Sequence, residues 1–287
     1  VKQLTPEQIA AAFIASCYDE IEAPKPGNVH TFAGGHDMEA SHFLDSARVA
    51  TPAIAAPGAR VGARIRGAID ATFAEVQMNT NLGIILLCAP LACAAEAAAP
   101  KLRAALSDVL ANLDAADAAD VYAAIARASP GGLGRASRHD VHGPPPFSLL
   151  DAMREAADRD MIARQYATDF SDIFGSGLAA IAEAHALGAG QPIALAVYLA
   201  FLSRFPDTHI VRKFGLETAE AVMREAQGFA ARARSEGIAN TLTSDLLAFD
   251  ARLKETRVNP GTSADLTVAT LFAARLSGVL PISLGDG

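Results

Sequence analysis

The sequence predicts an all-α fold. Apolar residues recur at helical spacing through an alanine-rich background, helix-start signals such as Thr5-Pro6-Glu7-Gln8 are frequent, and no alternating strand run or hairpin signal interrupts them. The chain has 287 residues, 51% hydrophobic and 20% charged, so it can bury a sizeable core. One domain over residues 1–287 is expected, a multi-helix bundle with long polar loops.

The elements follow in order. Thr5 as N-cap, Pro6 at the first helical position and Gln8 closing a capping box start a helix that runs to about Glu22 and stops before Pro24. Residues 38–50 and 58–77 read as the next two helices. A helix is expected over 82–98, and its run 82–95 is apolar. That run is short for a membrane span, contains Pro90 and is followed by Glu96, so a buried core helix is expected and no membrane partner. Residues 102–113 and 116–128 read as amphipathic helices. The glycines and the Pro144-Pro145-Pro146 run preclude a continuous helix over 129–147. Residues 148–174 read as one long helix, interrupted at Gly175 and Gly177 and continued over 178–187. Helices over 192–205, 208–214, 216–235, 243–255 and 264–276 complete the series.

A net charge of −8 argues against a nucleic-acid surface, although a local Lys/Arg cluster suffices for a nucleotide. The three cysteines, Cys17, Cys88 and Cys93, have no CxxC or metal-type spacing, which fits buried thiols in a reducing cytoplasm. The pattern His139-Asp140-Val141-His142 lies in a Pro/Gly loop and does not define a zinc site. No nucleophile elbow, Walker A or Rossmann glycine pattern occurs.

The chemistry-bearing residues gather in a few polar, glycine-bearing segments. PKPGNVH places Lys25 between two prolines that stiffen the loop, with Gly27 and Asn28 beside it. GGHDM offers His36 and Asp37 ahead of a helix, where Asp37 is either an N-cap, a metal ligand or a proton acceptor. Asn79, Thr80 and Asn81 stand at the entry to the apolar helix and must find hydrogen-bond partners, in local caps or in a ligand. Asp169 and Asp172 are spaced i, i+3 within the long predicted helix; a Mg²⁺ between them would relieve their repulsion. Asp160 and Arg164 read as members of solvated or intrahelical pairs. PDTHIVRK starts a helix with Asp207 as N-cap and puts His209 and Lys213 on one face, with Arg212 adjacent. In NPGTSADL, after Asn259 and Gly261, Thr262 is expected to cap and Asp265 to complete the box. Asp265 would repel a phosphate at that helix end, which keeps a metal or proton-transfer role open. PKPGNVH, Asn79–Asn81, PDTH and NPGTSAD are expected to converge on one pocket.

In this order, PKPGNVH, GGHDM, MNTNLG, GGLG with HDV, RDMIARQY, PDTHIVRK and NPGTSADL resemble the triphosphoribosyl-dephospho-CoA synthase family, over nearly the whole chain. The resemblance implies an all-helical cytoplasmic transferase with small-molecule nucleotide substrates, ATP with Mg²⁺ and 3′-dephospho-CoA. It would join the triphosphoribosyl group to the 2′-hydroxyl and release adenine. On charge and position, Lys25, Arg212 and Lys213 would meet phosphates, Asp169 and Asp172 Mg²⁺, and Asp37 or Asp265 would accept the proton. Gly27, Asn28, His36, Asn79, Thr80, Asn81, Asp207, His209, Asn259, Gly261 and Thr262 would complete the substrate contacts.

The chain departs from the family at one place. Better-known synthases carry Asn-Thr-His-Lys-Gly where it has Asn79-Thr80-Asn81-Leu82-Gly83. Loss of a His and a Lys predicts weak or absent transfer to dephospho-CoA. The alternatives are a divergent enzyme acting on another phosphorylated substrate, as in assembly of a pterin-type one-carbon carrier, and a non-catalytic nucleotide-binding protein.

Overall fold

The computed structural model describes residues 3–97, 101–128, 148–188 and 190–282. The His139–His142 pattern therefore lies outside the described residues. Within them the chain is helical: α1 (Pro6–Glu22), α2 (Ala40–Ile54), α3 (Val61–Val76), α4 (Leu82–Ala95), α5 (Leu102–Ala111), α6 (Ala115–Ala128), α7 (Leu149–Ala156), α8 (Met161–Ala167), α9 (Leu178–Ala186), α10 (Ile193–Leu202), α11 (Thr208–Phe214), α12 (Leu216–Glu236), α13 (Ser244–Glu255) and α14 (Gly261–Leu276). A π-helical turn, Ile173–Gly177, precedes α9, and a 3₁₀ turn, Ile238–Thr241, follows α12. Among the described residues the only β pairing is two isolated bridges, His30–Ala33 and Gly35–Met38.

The core forms around helices that have no polar face. α4 and α10 are apolar all round, and α14 is buried along nearly its whole length. α14 packs on α1, α4 and α10. α2, α3 and α6 pack side by side on the flank that α1 shares. No helix among the described residues is long and apolar enough to cross a membrane.

Pro90 sits inside α4 and cannot donate to the carbonyl four residues back, that of Leu86. The Tyr166 hydroxyl donates to that carbonyl at 2.6 Å, so a buried acceptor is satisfied from α8.

The single long helix expected over 148–174 is instead several pieces. Asp160 accepts the backbone N–H of Ile162 and Ala163 through Oδ1 and starts α8 afresh. After α8, Asp169 and Phe170 take left-handed backbone (φ 49° and 54°), which turns the Phe170 ring into the core against Tyr166. Gly175 and Gly177, expected to break the helix, lie inside the π-helical turn that runs into α9. α2 likewise begins later than expected, with Glu39 as its N-cap and Pro52 inside it.

Candidate active site

The α1–α2 loop carries the PKPGNVH segment and is fixed from both sides. On one side Lys25, fully buried, donates to the carbonyls of Glu20 (2.6 Å) and Val29 (2.9 Å) and pairs with the Glu20 carboxylate at 3.0 Å. Burial pushes the lysine down and the glutamate up, and their mutual attraction opposes both shifts. Lys25 therefore braces the loop from within, and the expectation that it presents an ammonium to a phosphate is corrected.

On the other side is α13, whose Asp250 and Lys254 were absent from the sequence-based candidates. Asp250 accepts the Gly27 N–H at 2.8 Å and the Lys254 ammonium at 3.0 Å, and its other contact is the His30 imidazole at 3.3 Å. Lys254 also donates to the carbonyl of Ala33. Burial raises the Asp250 carboxyl, but these hydrogen bonds outweigh it and hold the group below its usual range. Gly27 needs its φ of +77°, and a side chain there would strike Leu253 and Pro260. Asn28 donates to the Asn259 side chain at 2.8 Å, tying this loop to the entry of α14.

His36 and Asp37 occupy the two left-handed positions (φ 58° and 63°) of the tight turn closed by Gly35 and Met38. That turn brings His36 Nε2 to the carbonyl of Gly27 at 2.7 Å. Asp37 points away: its side chain is 78% exposed and meets Arg257 at 3.2 Å. It neither caps a helix nor reaches the buried polar cluster, so its candidacy as proton acceptor is corrected.

α11 and α14 start against each other. The Asp207 carboxylate caps both, accepting His209 N and Ile210 N through Oδ1 and Ser263 N and Oγ through Oδ2. Burial raises this carboxyl against the pull of those four donors. The expected cap by Thr262 is corrected: Pro260 is the N-cap of α14, and the Thr262 hydroxyl instead meets Thr208 Oγ1 and accepts the N–H of His209. Gly261 leaves room for the His209 ring at this helix end, where an added Cβ would come within 2.9 Å of His209 Nδ1.

Here the cations collect. Burial is the main cause that lowers His209, to about 3, and Lys213, Arg212 and His36 add to it. His36 is lowered by burial first and then by Lys213, Lys254 and Arg257. The two imidazoles, Lys213 and Arg212 thus share one positive neighbourhood in a chain of net charge −8. His209 Nε2 and Arg212 Nε are buried without a partner among the described residues. Arg212 Nη1 is anchored on Asp160 Oδ2 at 2.6 Å, so Asp160 is a bridge between α8 and α11, not a solvated residue.

One turn into α14, Asp265 has no hydrogen-bond partner among the described residues, and solvent reaches it in part. Burial raises its carboxyl well above the usual range, the Asp207 and Glu20 carboxylates add to the shift, and Arg212 opposes it. It lies against Gly83, in the first turn of α4. The Asn79–Asn81 entry of α4 is adjacent in sequence. Asn79 Oδ1 accepts Leu82 N, Thr80 bonds Ser46 at 2.6 Å and Asn81 donates to Thr72 at 3.0 Å. Asn81 Oδ1 remains buried and unpartnered.

PKPGNVH, Asn79–Asn81, PDTH and NPGTSAD come together around the starts of α4, α11 and α14. Asp169 and Asp172 do not join them. Asp169 is exposed in left-handed backbone, and Asp172 accepts Arg164 Nε and Gln165 Nε2, each at 2.9 Å. They share no helix face, and the Mg²⁺ pair is corrected. Among the described residues no group of three or more His, Cys, Asp or Glu could hold a metal. An apolar groove of about 260 Å³ between α9, α10 and α12, lined chiefly by alanines and leucines, shares none of the site residues.

The chain is similar to a crystal structure from Archaeoglobus fulgidus, provisionally named a triphosphoribosyl-dephospho-CoA synthase, with a TM-score of 0.66 over 83% of this chain and 98% of that one. Their sequences are 24% identical, so the likeness speaks for the fold. No curated protein matches the chain. The family model for ATP:dephospho-CoA triphosphoribosyl transferase (CitG) matches residues 6–282, which include every segment of the site. The chain belongs to the ATP:dephospho-CoA triphosphoribosyl transferase family.

Proposed function

We propose that this transferase works at the junction of α4, α11 and α14, with Asp265 as proton acceptor. The observation that carries the reading is Asp265 itself: a carboxylate without a partner, reached by solvent and bordered by a cationic cluster. In the reaction the C1′–N9 bond of ATP breaks and a bond forms between C1′ and the 2′-oxygen of dephospho-CoA. The hydroxyl proton passes to Asp265, and adenine leaves with the bonding pair on N9 and takes up a proton from solvent, while Asp265 returns its proton to solvent. Burial makes Asp265 a stronger base than an ordinary carboxylate. The same carboxylate stabilises positive charge developing on the ribose.

Lys213, Arg212, His209 and His36 would hold the triphosphate. Neutral His209 donates one hydrogen bond from an imidazole that burial first, and then the neighbouring cations, keep uncharged. Near the site, Asp207 and Asp160 already have their oxygens engaged, and among the described residues no group of three or more His, Cys, Asp or Glu could hold a resident Mg²⁺. Mg²⁺ enters as part of the MgATP substrate, coordinated by phosphate oxygens and water. Incubation with ATP and dephospho-CoA, followed by chromatography for adenine and mass spectrometry of the product, tests the assignment. No adenine release with any nucleotide acceptor overturns it.

A second reading, an acceptor other than dephospho-CoA, is favoured by one observation. Asn81 and Leu82, in place of a His and a Lys, are both buried, with Asn81 tied to Thr72 and Leu82 in the core, so neither supplies charge to the site. Adenine release with another phosphorylated acceptor, for example a pterin-type precursor, and none with dephospho-CoA would select it.

A further inference from the structure

Gly83 stands in the first turn of α4, facing α14. A Cβ built on it falls far inside van der Waals contact distance of Asp265 Oδ2, and the carboxylate carbon is almost as close. Alanine therefore cannot occupy position 83 while Asp265 stays where it is. At Gly62 the close neighbour is instead the backbone of Asp117, and the Asp117 carboxylate is held by hydrogen bonds, accepting the Gly62 N–H at 2.8 Å and pairing with Arg60 at 3.2 Å. Asp265 has no such hydrogen bonds, so its place is set by the shape of the wall it rests on. That wall is a helix start, whose first-turn N–H groups have no carbonyl one turn back within the helix and favour a negative charge. Gly261 repeats the arrangement one element on, seating His209 against the start of α14.

We propose that Gly83 is a positioning residue of the transferase: the space left by its missing side chain is the seat that holds the Asp265 carboxylate at the reacting centre. The inference rests on the reading of Asp265 as proton acceptor. Gly83 itself touches no reacting atom. A methyl group at 83 would push the carboxylate off the helix start by an ångström or more, and a displacement of that size costs a proton-transfer step roughly 10²-fold. Substrate contacts at Lys213, Arg212 and His36 would be left in place, so kcat falls while KM for ATP stays near the wild-type value.

The experiment is chemical rescue, read as adenine release from ATP. In Asp265→Ala the seat is empty, and added formate is expected to enter it and restore activity at least about 10-fold, a small part of what a positioned base contributes. In the double variant Gly83→Ala/Asp265→Ala the new methyl group fills the seat, and formate is expected to restore nothing. The double variant also removes the clash, so its folding, followed by circular dichroism, does not depend on how Gly83→Ala alone behaves. Rescue of both variants, or of neither, overturns the proposal. A wild-type chain that releases no adenine defeats the function assigned to the site, a result distinct from both.

Discussion

The Asp207 carboxylate accepts both the backbone N–H and the hydroxyl of Ser263, at 2.7 and 2.8 Å, while its other oxygen caps α11. One buried side chain thus sets the angle between the two helices that carry His209, Arg212, Lys213 and Asp265.

Replacing it should therefore affect stability and binding together. Asp207→Ala removes two caps at once and is expected to cost about 2 to 4 kcal/mol, taking each cap near the upper half of its usual range. Urea unfolding monitored by circular dichroism gives the loss. Isothermal titration with MgATP should show weaker binding even where the variant remains folded. A loss under 1 kcal/mol would mean the two helix starts are held by packing alone.

His209 makes a pH-dependent prediction with a definite sign. Its folded pKa is lowered to about 3, whereas the unfolded chain binds the proton near 6.5. Between those values the unfolded state holds more protons, so the wild type loses stability as the pH falls below about 6.5. His209→Gln should lack this contribution. The difference in urea midpoint between the two proteins is expected to shift against the wild type between pH 7 and pH 5. Parallel behaviour of the two chains would show that His209 titrates normally.

The carboxylates on the two sides of Phe170 should separate cleanly. Asp169→Asn alters an exposed group and is expected to leave stability within about 0.5 kcal/mol. Asp172→Asn weakens the contacts with Arg164 and Gln165 and should destabilise the chain by about 1 to 3 kcal/mol. Neither should change how Mg²⁺ affects ATP affinity. A loss of the Mg²⁺ effect in either variant would return the ion to this pair.

Lys213 is exposed and free to follow a phosphate, so Lys213→Ala should weaken MgATP binding by about 10-fold, and the deficit should shrink as salt is raised. Asp265→Asn should bind MgATP normally and lower kcat by roughly 10² to 10⁴. Equal loss in affinity and turnover for Asp265→Asn would place the carboxylate in ground-state binding.

Much of this was legible in the sequence. Helical periodicity gave the fold class, and the Thr5-Pro6-Gln8 box and the Asp207 cap stand where their spacing puts them. Convergence of the polar segments followed from their composition at helix ends. What spacing cannot report is the direction a side chain takes. Lys25, flanked by prolines, looks like an exposed phosphate ligand until burial against Glu20 is seen. Asp169 and Asp172 share a face only if the helix is continuous, and the left-handed residues at 169 and 170 carry no Gly or Pro to announce the break. Asp250 and Lys254 read as an ordinary i, i+4 pair on a surface helix, because nothing local shows that a loop more than two hundred residues away closes over them.

The central place of α14 bears on how the protein is made. Residues near the end of the sequence pack on α1 near its beginning and on α4 and α10, the two helices with no polar face. During synthesis those faces stay uncovered until α14 emerges, and the closing contacts span most of the chain. Such a topology folds late and exposes sticky surface while it waits. Refolding yield should therefore fall as protein concentration rises, more steeply than the stability of the finished protein would indicate.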